Sequence, residues 1–201
     1  MATLATASAK VAIATDGFLG YAVTYPVTRT VKTVSADNVI LIGMPASGKS
    51  TIGVLLAKAM GCDYIDTDLL IQLREGCRLE ETIRQKGIDA FLDIEGEVCA
   101  GLDTANTVIA TGGSAVYRDR AMRHLKELGT VVYLKTDLDE ILRRITDVLG
   151  RGVALREGQT LADLYAERTV LYERYADLIV DEKDLSMDET AAAVLSALEN
   201  S

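Results

Sequence analysis

From Asp37 onward the chain alternates short apolar runs with stretches of helical length. Val39-Ile40-Leu41-Ile42 is apolar at every position, the pattern of a strand buried on both faces. A helical pattern follows over 50–60, and Asp63-Tyr64-Ile65-Asp66 reads as a second, short strand after Gly61. Residues 69–74 are helical in pattern, Gly76 interrupts, and 79–86 resumes. A further helix is expected over 89–102, with Phe91, Ile94 and Val98 on one face. Thr107-Val108-Ile109-Ala110 gives a third strand, 118–128 a helix stopped by Gly129, and Val131-Val132-Tyr133-Leu134 a fourth strand. Asp137 with Glu140 three residues on is a capping-box pattern that predicts a helix to about Leu149. Leu178-Ile179-Val180 is the fifth strand, and Ser186 with Glu189 opens a C-terminal helix towards Leu198. Strands separated by helix-length segments predict an α/β fold: three layers, α/β/α, around a central five-stranded parallel sheet.

Residues 1–36 break this rhythm, being rich in Ala, Thr and Val and poor in charge. Apolar stretches flank Asp16-Gly17, a hairpin signal. The segment reads either as an appended β-hairpin or as a loosely ordered N-terminal extension to a domain spanning 37–201. It lacks the basic stretch and uninterrupted apolar core of a secretory signal. It is poor in acids, like a transit peptide, yet has few arginines.

Composition narrows the class of partner. A chain of 201 residues with 49% hydrophobic and 25% charged positions is long enough for one domain with a proper core. The net charge of −9 argues against a nucleic-acid binder, whose footprint would be basic. No apolar stretch approaches the ~20 residues needed to span a bilayer. The expectation is a cytoplasmic monomer acting on small molecules, with neither nucleic acid nor membrane as partner. Cys62, Cys77 and Cys99 are widely spaced, without CxxC or metal-ligand rhythm, and read as reduced, mostly buried thiols. His124 lies in a charged run with no second histidine to complete a metal or triad constellation, and reads as a surface residue.

The most specific chemistry lies in Gly43-Met44-Pro45-Ala46-Ser47-Gly48-Lys49-Ser50-Thr51, directly between the first strand and the first helix. This is the pattern and the context of a phosphate-binding loop. Gly43 and Gly48 admit backbone conformations that turn successive amides onto phosphate oxygens, and the helix beginning near Lys49 adds its positive dipole end. Lys49 supplies a cation for the β- and γ-phosphates, and the Ser50 hydroxyl can ligate Mg2+. The chain therefore reads as a binder of a nucleoside triphosphate.

In open parallel sheets ligands sit outside the carboxyl ends of the strands. Asp66-Thr67-Asp68 follows the second strand, and two carboxylates there can divide their work. One orients metal-bound water, and the other accepts the proton of an attacking hydroxyl. The competing role for an aspartate at this point is a helix N-cap. After the third strand, Thr111-Gly112-Gly113-Ser114 lets backbone amides approach a ligand, or simply forms a turn. Two arginines among the glycines of 150–158 suggest a mobile lid around 150–160.

Taken together these segments resemble the shikimate kinase family, small kinases of the nucleoside monophosphate kinase-like P-loop group, over essentially 37–200. The resemblance rests on five further segments in order: Asp66-Thr67-Asp68, Phe91-Leu92-Asp93-Ile94-Glu95, Gly112-Gly113-Ser114, Arg151-Gly152-Val153-Ala154 and Glu167-Arg168-Thr169-Val170-Leu171-Tyr172. It implies ATP and Mg2+ as nucleotide and cofactor, with Gly43, Ala46, Ser47, Gly48, Lys49, Ser50 and Thr51 around the phosphates. Ser50 and Asp66 would hold the metal, the latter through water. Asp68 would bind the acceptor hydroxyl as base, Gly112 and Gly113 would meet the acceptor through the backbone, and Arg168 would bind its carboxylate. Arg151 would reach the phosphates from the lid, and Arg143 or Arg144 would flank the adenine. The family's arginine after Phe is Leu92 here, followed by Asp93. That puts one of two carboxylate anchors in doubt, a charge-assisted contact worth ~1.5–3 kcal/mol. Ser114 for the third glycine and Gly152 for a lid proline are milder departures.

Three functions follow. The first is phosphorylation of a small hydroxylated acid, shikimate foremost. The second is the same transfer to another acceptor, such as a hydroxy amino acid, with Leu92 in the substrate site. The third is an ATP-binding accessory protein that has lost catalysis, against which Lys49 and Asp68 both speak.

Overall fold

The computed structural model describes residues 38–145 and 152–201. The expectations for residues 1–36 and for Arg151 lie outside them. Five strands form one parallel sheet in the order β2-β3-β1-β4-β5. The strands are β1 (Asn38–Ile42), β2 (Asp63–Asp66), β3 (Thr107–Ala110), β4 (Gly129–Lys135) and β5 (Leu178–Asp181). β1 is central, with Ile40 in register with Ile109 on one side and Val131 on the other.

The apolar runs become strands because both faces of the sheet are covered. Along β1 the side chains alternate. Ile40 and Ile42 enter a core with Met122 and Leu125 of α5 (Asp119–Leu128) and Leu164 and Tyr172 of α7 (Leu161–Tyr175). Val39 and Leu41 enter a second core with Ile52 and Leu56 of α1 (Lys49–Met60) and Val194 of α8 (Met187–Glu199). A third cluster joins Ile71 of α2 (Thr67–Glu75), Phe91, Leu92 and Ile94 of α4 (Ile88–Ala100), and Ala154. Burying a branched side chain of this kind contributes about 1.5–3 kcal/mol, so the two sheet faces supply most of the drive to fold.

Ser186 caps α8 with a complete capping box to Glu189, as its pattern predicts. Asp137 does not: its side chain makes no capping bond, and α6 (Leu138–Arg144) ends before an extended Ile145 rather than running to Leu149. Glu140 is drawn instead to Arg143 and Arg144 in the last turn. α2 begins at Thr67, two residues earlier than expected, because the Asp66 side chain accepts the Asp68 amide at 3.0 Å. α3 (Leu79–Lys86) matches its pattern, whereas the 3-10 turn Ala115–Tyr117 has no sequence signal. Of the three thiols Cys99 is fully buried, and Cys62 and Cys77 are partly buried. His124 is partly buried, its Nε2 lying 2.6 Å from the Leu102 carbonyl.

Candidate active site

At the carboxyl ends of the strands the loop after β1 turns sharply into α1. Gly48 adopts φ 90°, and Gly43 sits where a Cβ would lie 2.8 Å from the Leu134 carbonyl oxygen. Ala46 takes φ 65°, a left-handed conformation unfavourable for a residue with a Cβ. Lys49 leads α1 and curls back over the loop, donating to the Gly43 and Met44 carbonyls at 2.8 and 2.7 Å. Burial pushes its ammonium down to about 8, opposed by the carboxylates of Asp68 and Glu182. Ser50, one residue on, donates to Asp66 Oδ2 at 2.7 Å. Asp66 thus both caps α2 and faces the phosphate loop.

A cavity of about 540 Å3 opens beside this loop. It is lined by Pro45, Ala46, Gly48, Lys49, Ser50 and Thr51 of the loop and by Asp68, Glu95, Gly112, Gly113 and Arg168. Gly43 and Ser47 support the loop from outside the cavity lining; the Lys49 ammonium approaches Ser47 Oγ at 3.4 Å. Asp68 stands in the first turn of α2. Loss of solvent there pushes its carboxyl up to about 6, with Asp66 adding to the shift and Lys49 opposing it. The Gly112 amide donates to Thr67 Oγ1 at 3.0 Å, which ties the glycine segment to the start of α2.

Arg168 comes from α7, whose first turn is held by a Thr160–Asp163 capping box. It is 1% exposed, stacks over the Tyr117 ring with 5.1 Å to its centroid, and donates to the Tyr117 hydroxyl and the Ala154 carbonyl. Tyr172, one turn on, donates to the Gly113 carbonyl at 2.6 Å and fixes that segment's orientation. Arg144 borders the cavity and donates to the Ala46 carbonyl at 3.3 Å, whereas Arg143 is 77% exposed and paired with Glu140. Between the two arginines weighed for the nucleotide, Arg144 is the one at the loop.

Leu92 is not among the residues lining the main cavity. It packs in the α2–α4 cluster and borders a separate cavity of about 110 Å3, with Tyr117, Arg118, Arg156 and Glu167. The residue of the Phe91–Glu95 stretch that does reach the main cavity, beside Phe91 itself, is Glu95, for which the sequence offered no role. Its spacing from Phe91 and Cys99 was the available signal, a carboxylate on an apolar helix face. Thr67 and Tyr172 carried no such signal.

The residues present suit a triphosphate and its magnesium. The loop sets the buried Lys49 cation at the cavity, and Ser50 and Asp66 offer hard oxygen donors of the kind Mg2+ prefers. Among the described residues no group of three or more His, Cys, Asp or Glu side chains forms a ready-made metal cage.

The model of the shikimate kinase family matches residues 45–199. This chain belongs to the shikimate kinase family. It is 32% identical over 165 residues to a shikimate kinase of Thermodesulfovibrio yellowstonii, covering 81% of this chain and 95% of the relative. A shikimate kinase of Paracidovorax citrulli is 40% identical over 146 residues, covering 70% and 79%. Among solved structures, shikimate kinase from Acinetobacter baumannii in complex with shikimate superposes with a TM-score of 0.77 at 28% identity, over 83% of this chain and 94% of that one. The chain is accordingly an ATP-dependent small-molecule kinase of a family that works with Mg2+, which sets aside the accessory-protein reading. Among the described residues no helix is long and apolar enough to cross a membrane.

Proposed function

We propose that this kinase transfers the γ-phosphoryl group of ATP to a ring hydroxyl of shikimate, giving shikimate 3-phosphate on the route to aromatic amino acids. The observation that carries this reading is one cavity lined by both the phosphate loop and Asp68, Gly112, Gly113 and Arg168. Arg168 holds the acceptor carboxylate, and the Gly112–Gly113 backbone seats the ring. Asp68 takes the proton of the hydroxyl as its oxygen forms the new bond to phosphorus and the bond to the ADP oxygen breaks. Lys49 moves from the Gly43 and Met44 carbonyls to the phosphates, and Arg151 of the lid neutralises charge beside it. Ser50 and Asp66 would hold Mg2+, which supplies charge neutralisation on the phosphates when bound. The protein works as a cytoplasmic monomer with small-molecule partners.

A second reading is favoured by one residue. Leu92 provides no cation, so an acceptor meeting only Arg168 through its carboxylate, such as a hydroxy amino acid, also fits. ADP release from MgATP with shikimate, beside a panel of hydroxy acids and hydroxy amino acids, separates the two. Saturable turnover at micromolar to low millimolar shikimate is expected. Turnover with another acceptor alone would move the enzyme to that substrate.

A further inference from the structure

Glu95 presents a problem the phosphoryl-transfer chemistry does not solve. It is 1% exposed, and neither carboxyl oxygen has a hydrogen-bond partner among the described residues. A buried carboxyl in that state is costly unless something completes it. It lines the main cavity together with Asp68 and Arg168. A point at the Cβ position of Gly112 lies 2.0 Å from Glu95 Oε1 and 2.8 Å from Asp68 Oδ1. The two carboxyls therefore converge on the same short piece of backbone, and a side chain there would displace them. Ser114 is the polar neighbour that favours its ionised form, and Leu92, one turn before Glu95 on α4, supplies no cation. The acceptor end thus holds two carboxyls and the single buried guanidinium of Arg168, which is already engaged with Tyr117 and Ala154.

We infer that Glu95 receives a second hydrogen-bond donor of the acceptor, a non-reacting hydroxyl or an ammonium, and thereby sets acceptor specificity. The inference rests on the kinase reading above but not on which acceptor is native. Asp68 takes the reacting hydroxyl, Arg168 the carboxylate, and Glu95 a donor elsewhere on the same molecule. Three separated contacts define both the position and the face of a small polyhydroxylated or amino acid. A contact of this type discriminates sharply against an analogue lacking the donor, because the protein group is then left unpaired.

The test compares wild type, Glu95→Gln and Glu95→Ala in steady-state assays with MgATP. The acceptors are shikimate, shikimate analogues lacking one non-reacting hydroxyl, and hydroxy amino acids beside their amine-free hydroxy-acid counterparts. Glu95→Ala is expected to raise acceptor KM at least tenfold and to leave KM for ATP within about twofold. Its penalty should shrink to less than about threefold for the acceptor missing the relevant donor. Glu95→Gln should fall between, since an amide still accepts a hydrogen bond. Circular dichroism and ATP binding confirm that each variant is folded. An unchanged acceptor KM, or an equal penalty for complete and donor-lacking acceptors, would overturn the assignment. If wild type ignores shikimate but uses a hydroxy amino acid, and the Glu95 variants lose that preference for the amine, the shikimate reading fails and the Glu95 assignment stands.

Discussion

Ser50 Oγ donates to Asp66 Oδ2 at 2.7 Å, and the same carboxylate oxygen accepts the Tyr64 hydroxyl at 3.1 Å while Oδ1 accepts the Asp68 amide at 3.0 Å. One carboxylate thereby joins the phosphate loop, β2 and the start of α2. Asp66→Asn keeps a competent helix cap but removes the charge. Its thermal stability should fall by less than about 1 kcal/mol, while the Mg2+ concentration for half-maximal activity rises at least tenfold. Asp66→Ala should lose the cap as well, about 1 kcal/mol more. A Mg2+ titration of activity beside urea melts separates the two effects, and an unaltered Mg2+ requirement in Asp66→Asn would remove Asp66 from the metal site.

Asp68 must be ionised to take a proton, and its carboxyl is pushed up to about 6 by loss of solvent and by Asp66. In the free enzyme, kcat/KM should therefore rise with pH through about 6 and then level. An alkaline limb near 8 is expected as Lys49 releases its proton. Asp68→Asn should lower kcat about 10²–10⁴-fold across the range. A variant that kept both its rate and the acidic limb would show that another group is the base.

Gly112 is constrained by space and not by its backbone angle. A methyl group there would meet Glu95 Oε1 at 2.0 Å and Asp68 Oδ1 at 2.8 Å, so both carboxyls would have to swing aside. Gly112→Ala is expected to raise acceptor KM more than tenfold with ATP affinity nearly unchanged, because the displacement falls at the acceptor end. Isothermal titration with ATP and acceptor kinetics check this; equal loss on both substrates would mean the whole cavity had collapsed.

What was readable in the sequence followed from local chemistry. Four strands were readable as short apolar runs, and the second, Asp63–Asp66, as Tyr64-Ile65 held between two aspartates after Gly61. The phosphate loop was legible because it lies in one contiguous stretch with its strand and helix. The same capping pattern gave the right helix start at Ser186 and no side-chain cap at Asp137, since nearby arginines compete for Glu140. α7 went unseen as a helix because two of its core positions are Arg168 and Tyr172, which mask the apolar spacing of Leu161, Leu164 and Tyr175. Arg168 as a site residue came through family likeness, not periodicity. Glu95 acquires meaning only when α4, α2 and the Gly112 segment are brought together, a relation no window of sequence contains.

Leu92 looked, from its alignment with a family arginine, like a vacancy in the acceptor site. In the fold it is 4% exposed in an apolar cluster, and the small cavity it borders already holds Arg118 and Arg156. Leu92→Arg should therefore destabilise the protein by about 3 kcal/mol, as a poorly paired buried charge does, without improving shikimate KM. Leu92→Met should cost less than about 1.5 kcal/mol. A sharp fall in shikimate KM with unchanged melting would instead place this side chain in the acceptor site.

Burial pushes Glu95 up to about 7 from an ordinary 4.5, opposed by Ser114, reinforced by Asp68 and opposed again by Arg168. Between those two pH values the folded protein holds a proton that the unfolded chain has released. Stability attributable to Glu95 therefore falls as pH rises from 4.5 to about 7 and stays low beyond. The shift corresponds to about 3 kcal/mol at most. Glu95→Gln cannot titrate, so its stability relative to wild type should improve by about 1–3 kcal/mol between pH 5 and pH 8. The amide's unpaired N–H groups lower the variant at both pH values and drop out of this comparison. Urea unfolding of both proteins at the two pH values measures it. A stability difference independent of pH would mean that Glu95 stays ionised in the folded protein at pH 5, and so is held by a cation rather than left open to a donor from the acceptor.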